Sequence, residues 1–467
     1  MMLMKKRYSR KRKGIALVIA MVFVMVFSAL SVAMFSMSSN NSLVAANLHT
    51  VNEARSAADS GLEVLRYYVN QVVIDGLIPA NDRFDSLANQ IVTLANADSS
   101  SMAIYNDSGT PPHIHFGFSG SPVTLNSDGD NYFYAEITPD STEGALFSIT
   151  GEAGQVDRTI EGGFGYGVRN NSVFDYGVAS KGAVETSSIS LDGVSLRVEA
   201  DMYIESLTSD LALAMKNSQI AGDVEIVNPD GYVTISGATS IGGETGVNAI
   251  TNHVEIGVEP TEFPQPNPTH FEQYVNGATI DSTNLVDYSS NATLNNVRIA
   301  AGTNPTFDGN TTINGVLYIE QPNVVTIKGG ATINGVIVGN GDLTDNSGTN
   351  QIIFEGSVNS SSVASLDAAT YGNLTNETGT FVMAPGFAVS MGGDFGTLNG
   401  CIAANGFTTY GNASGTIGGS IVNYSPEVMV LGGNDLYFNR SGITDIPAGF
   451  VPDVVVYYDA SQYDEVL

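Results

Sequence analysis

The chain has no tryptophan, a single cysteine and, before Glu53, no acidic residue at all. It is also short of cations. Of 18 Lys and Arg, seven lie in the first 13 residues, which leaves 11 basic against 48 acidic side chains in the remainder, a formal charge of −37. Each shortage excludes something. One cysteine rules out an intramolecular disulfide and an all-cysteine metal site. That residue, Cys401, sits in the apolar run Cys401-Ile402-Ala403-Ala404 and reads as a small buried hydrophobe. A body of charge −37 repels nucleic acids and anionic lipid, so no nucleic-acid partner is expected. No proline precedes Pro79, so nothing forbids a helix across the first seventy residues.

What is present is 51 glycines and abundant Ser, Thr and Asn, a mixture that favours short strands joined by tight turns. A length of 467 residues exceeds one compact core and points to several domains or an elongated repeat. Ile15 to Phe35 carries no charge. As a helix it spans roughly 32 Å, enough for the hydrocarbon core of a bilayer. The cations in front of it predict a single-pass inner-membrane anchor with a cytoplasmic N-terminus and the body outside. A signal peptide cut after Ala33 is the competing reading, but such apolar stretches run only about 7–15 residues. Beyond the apolar run, Val44, Leu48, Val51, Ala58, Leu62, Leu65, Val69 and Val72 recur at helical steps, so the helix is predicted to continue.

Arg12-Lys13-Gly14 followed by Ile15-Ala16-Leu17-Val18-Ile19 resembles a type IV prepilin leader. Ala54-Arg55-Ser56-Ala57-Ala58-Asp59-Ser60-Gly61-Leu62 resembles the end of the N-terminal module of PilX-type minor pilins. The resemblance implies cleavage by a prepilin peptidase between Gly14 and Ile15. It also implies partnership with other pilin-like subunits and their assembly machinery, in a type IV pilus or a related secretion pseudopilus. Major pilins carry Glu at the fifth mature position; here that position is Ile19, which argues against a major pilin.

The divisions expected are a leader over 1–14, a pilin-like helix over 15–75 whose half 15–35 crosses the membrane, and a small α+β region over 76–170. In that region a short helix is predicted from Asp82 to Asn96, and strands at His113–Phe118, Tyr132–Thr138, Ala145–Thr150 and Gln155–Gly162. His113 and His115 would share one side of a strand, but the sequence offers no third ligand near them, so no metal site is expected. Asn126 to Asn131 is rich in Asn and Asp without EF-hand spacing and reads as a solvated turn.

From 171 to 447 the chain repeats. Thr293-Leu294-Asn295-Asn296-Val297, Thr312-Ile313-Asn314-Gly315-Val316 and Thr332-Ile333-Asn334-Gly335-Val336 share one phase, and Thr397–Ala403 and Thr416–Val422 share it again. A period near 20 predicts a parallel, right-handed β-helix with Asn-Gly corners stacked into a ladder. The fold class is therefore mainly β behind a long pilin-like helix. Residues 448–467 form an acidic tail expected to cap or extend the solenoid. The alternative is a membrane-anchored carbohydrate-active β-helix enzyme. It would need clustered carboxylates, and none is evident beside Lys181, Arg197, Lys216, Arg298, Lys328 or Arg440. His253 and His270 flank a Pro-rich insertion, Pro260 to Pro268. Neither a catalytic residue nor a cofactor is expected, and the solenoid reads as a head for adhesion or aggregation, with surface glycans as candidate ligands.

Overall fold

The computed structural model describes residues 13–98, 102–109, 111–125, 131–140, 144–168, 172–345, 348–441 and 446–466. Most of the leader, and the acidic turn at Asp128 and Asp130, lie outside them. The chain forms two compact units. The first comprises residues up to Ile74, Pro79–Gly167 and Val455 onward; the second comprises Asp75–Ile78 and Val168–Val454.

The first unit is built on one helix, Lys13–Val69. From Ile15 to Leu48 its large apolar side chains are exposed, whereas Ala54, Ala57, Ala58, Leu62, Leu65, Tyr68 and Val69 are buried. Small residues let this second half lie close to an antiparallel sheet. A Cβ on Gly151 would come within 2.2 Å of the Ala54 carbonyl oxygen, so only glycine fits there. The sheet runs in the order 73–74, 454–466, 156–168, 144–153, 131–140, 113–116, 103–106. A shorter helix, Arg83–Asp98, buries Phe84, Leu87, Ala88, Ile91 and Ala95. The last strand, Val454–Val466, was expected to cap the solenoid and instead joins this sheet. Its first turn alternates, with Val454 and Val456 buried, and that apolar pair fixes which side faces the core.

The second unit is a parallel β-solenoid. Ten consecutive residues of 311–320 pair in register with 331–340, so Ile313 faces Ile333 and Asn314 faces Asn334. Thr397 pairs with Thr416, and even the weak copies align, Leu191 with Ile220. The asparagines do form a ladder: Asn334 donates to Asn314 at 2.9 Å and Asn314 to Asn295 at 3.0 Å. Asn296 takes the left-handed conformation at its corner, and Gly315 does so one coil on. Inward residues from all faces pool into one apolar core running from Val178 to Phe438.

The coils do not stack in chain order. Val178 pairs with Met202 on one side and with Ile421 on the other. Val184 likewise lies between Leu213 and Met429. The first coil is thus interior, and the chain winds outward from it to the strand 254–256. It then crosses over through the Pro-rich segment, starts again at 279–280 and winds back until its last coil closes against the first. Asn423 donates to Ser180 at 3.0 Å across 243 positions of sequence.

One wall of the solenoid is covered. Its strands 202–204, 380–384 and 421–423 are buried at every position. Phe263 and Phe271 of the crossing segment, Val363 and Leu374, and Phe450 pack on the outside against Tyr203, Tyr318, Val338 and Tyr424. Burial on both faces is what a parallel sheet favours.

Candidate functional site

Three places in the chain carry functional potential, and the first is the helix. Gly14 and Ile15 lie in its first turn, and every large hydrophobe from Ile15 to Phe35 is about half exposed or more. Nothing in the chain covers this surface, and its length and composition suit a bilayer. Ile19 adds no charge to it. Further along, Leu43, Val44 and Leu48 stay exposed on the amphipathic part, an apolar stripe without an intramolecular partner.

The second is the open wall of the solenoid, a nine-stranded parallel sheet. Its inward row is Phe307, Ile327, Phe354, Met391, Thr409, Leu431, Thr186, Met215 and Ile235, paired strand to strand. One position before each lies the outward row: Thr306, Thr326, Ile353, Ser390, Thr408, Val430, Glu185, Ala214 and Thr234. In a protein this acidic, the nine strands hold only two charged residues, Glu185 and Lys216. The wall is a lattice of small hydroxyl and aliphatic groups repeating at the strand spacing, about 4.8 Å.

Comparison with known proteins decides the first of these. Residues 13–63 match the family model for the PilX N-terminal region. The chain carries a PilX-type N-terminal module. Beyond the module, the crystal structure of the competence-associated pilin ComZ from Thermus thermophilus overlays with a TM-score of 0.26 at 10% identity, covering 89% of this chain and 97% of that one. An ice-binding protein from the Antarctic ascomycete Antarctomyces psychrotrophicus gives a TM-score of 0.20 at 13% identity, over 58% of this chain and 97% of that one. Overlays this loose carry no weight on function. No curated protein sequence matches the chain. The PilX-type module and its apolar helix make this a membrane-anchored, pilin-like protein related to type IV pili.

The third place corrects an expectation. Stacking brings carboxylates together that the sequence keeps apart: Asp201 Oδ1 accepts the backbone N–H of Asp223 at 2.8 Å, and Asp223 Oδ1 lies 2.6 Å from His253 Nδ1. Tyr176 donates to the adjacent Glu225 at 2.7 Å. Burial, reinforced by the negative Asp223 and Glu225, pushes the Asp201 carboxyl up to about 6. A raised acid beside an imidazole–carboxylate pair is the raw material of acid–base catalysis. Here the atoms are already employed, since Asp201 Oδ1 holds the next coil in place. His270 is similarly engaged, with Nε2 2.7 Å from Glu377 Oε2. Cys401 is buried, as its apolar run implied, and burial pushes its thiol up to about 12, so it carries no reactive thiolate.

His113 and His115 require the second correction. Both imidazoles do lie on one side of their strand, but a third ligand-type group is present, because Glu136 of the neighbouring antiparallel strand stands opposite His115. Only strand pairing could reveal it.

Proposed function

We propose that this protein is a minor-pilin-like subunit that carries its solenoid outside the cell as an adhesion head. The leader would be removed between Gly14 and Ile15 by a prepilin peptidase, with the N-terminus cytoplasmic before cleavage. The exposed stripe at Leu43, Val44 and Leu48 gives the helix a surface on which to pack against helices of other pilin-like subunits. The observation that carries the adhesive reading is the open wall. A surface of repeating hydroxyl and methyl groups, nearly free of charge on a strongly acidic protein, suits a regular, uncharged, hydroxyl-bearing target such as a packed polysaccharide. The lattice of ice presents the same kind of surface, and the strand-spaced row of threonines is the feature that favours it as a second reading.

One experiment separates these. Detergent-solubilised full-length chain is incubated with insoluble neutral polysaccharides and, separately, with growing ice crystals. The double variant Thr326→Arg, Thr408→Arg, which places two bulky charges in the outward row, is run beside it. Retention on polysaccharide that the variant loses supports adhesion to glycans, and ice shaping that the variant loses supports the second reading. Equal behaviour of the two chains would remove the open wall from the proposal. The same polysaccharides, assayed for new reducing ends, report on the enzymatic alternative built on Asp201, Asp223 and His253; no turnover above blank is expected. Intact mass of the membrane-extracted protein should give a chain beginning at Ile15.

A further inference from the structure

The pair His113 and His115 is used by nothing described so far. Their strand buries Ile114 and Phe116 completely, and alternation turns both imidazoles to the opposite face. There the ligand-type atoms of His113, His115 and Glu136 all lie within 4.8 Å of one another. His113 Nδ1 is 3.9 Å from Glu136 Oε1, and the two rings meet edge to face with centroids 4.5 Å apart. From this geometry we propose that His113, His115 and Glu136 bind one divalent transition-metal ion of the zinc type.

The donor set selects the class of ion. Two imidazole nitrogens and one carboxylate oxygen suit zinc and its neighbours, whereas calcium and magnesium require oxygen throughout. Donors on a tetrahedral ion, with bonds of about 2.0–2.1 Å, lie roughly 3.3 Å apart, so the group closes by a contraction on the order of 1 Å. The side chain of Glu136 is 47% exposed and has the freedom to make that movement.

The surroundings supply the second layer. His113 Nδ1 lies 3.1 Å from the Pro111 carbonyl oxygen, and its Nε2 lies 3.2 Å from the Asn106 amide nitrogen. An ion on Nδ1 replaces the first contact and leaves the proton on Nε2. Rotation of the Asn106 amide then offers its oxygen to that proton, fixing the tautomer as ligating histidines require. A cavity of about 170 Å³ beside His115, lined also by Tyr134, Ser148 and Thr150, gives room for water on the remaining positions. On the other flank, Glu136 borders a larger hollow with Glu161 and Asp464, whose charge draws cations toward the group.

The test uses full-length protein in detergent, stripped with a chelator and titrated with zinc against a colorimetric competitor. A single tight ion per chain is expected, with the affinity falling roughly tenfold or more in His115→Ala and in Glu136→Gln. His270→Ala, whose imidazole pairs with Glu377, should bind as the parent does. The exposed Glu136→Gln keeps the test meaningful if His115→Ala folds poorly, and circular dichroism checks both. X-ray absorption at the zinc edge should report two imidazoles and an oxygen donor. Either the lack of a tight ion in the parent chain, or unchanged affinity in Glu136→Gln and the histidine variant, would overturn the assignment.

Discussion

Asp201 owes its altered acidity to its place at a coil boundary. Burial is the leading cause, and the carboxylates of Asp223 and Glu225 add to it, while the Arg440 guanidinium opposes it. The sign of the consequence follows from linkage. The folded chain holds the Asp201 proton up to about pH 6, whereas an unfolded aspartate releases it near the ordinary value of 3.8. The contribution to stability is therefore complete below about pH 4 and is lost as pH rises through about 6. Asp201→Asn keeps the acceptor for the Asp223 backbone and removes the titration. Its melting temperature should fall less than the parent's between pH 4 and 7, so that the two curves diverge as pH rises. Thermal melts across that range check it, and parallel curves would show that Asp201 is not desolvated as described.

At the scale of the element, the solenoid coil was legible because its signals repeat. Thr-Ile-Asn-Gly-Val at 312 and 332 sets the phase, and the phase alone makes Ile313 and Ile333 equivalent inward positions, which in the structure are fully buried. The helix was legible for a similar reason: an uninterrupted apolar run and then a stripe, although the stripe is buried only from Ala54 onward. Glu136 beside His115 and Asp201 beside Asp223 were not legible, since each depends on which strands pair, and pairing is set by registers that no local pattern carries. The strand 454–466 was hidden because its acidic second half is exposed and resembles a tail. The coil's packing phase has its own test. Ile333→Asp buries a charge with no partner and should cost about 4 kcal/mol or more, whereas Thr326→Asp, half-exposed between buried Val325 and Ile327, should stay within about 0.5 kcal/mol. Denaturant melts of the two variants compare them directly, and equal small losses would mean that the period is not a packing period.

At the scale of the whole molecule, the feature the sequence could not disclose is the order of the coils. Every coil has the same period whichever neighbour it meets, so a sequential stack and the observed one share a single sequence pattern. They differ in contact order. A sequential solenoid pairs residues some 20 positions apart, whereas here the chain must bring its last coil back to its first, which slows folding through loop-closure entropy. Glu185 and Val430 make the difference measurable. They are direct partners on the open wall and both point outward. Neighbouring strands lie about 4.8 Å apart, within the range a disulfide tolerates between Cα atoms. The double variant Glu185→Cys, Val430→Cys should therefore cross-link quantitatively under mild oxidation, and buried Cys401 should not compete. The bond would close a loop of more than two hundred residues and should stabilise the solenoid by up to about 5 kcal/mol on the chain-entropy estimate. Glu185→Cys with Thr326→Cys serves as the control, because four intervening strands keep those positions apart. A faster-migrating band on a non-reducing gel for the first pair alone is the expected result. If neither pair cross-links, the first and last coils are not neighbours, and a stack in simple chain order replaces the one described.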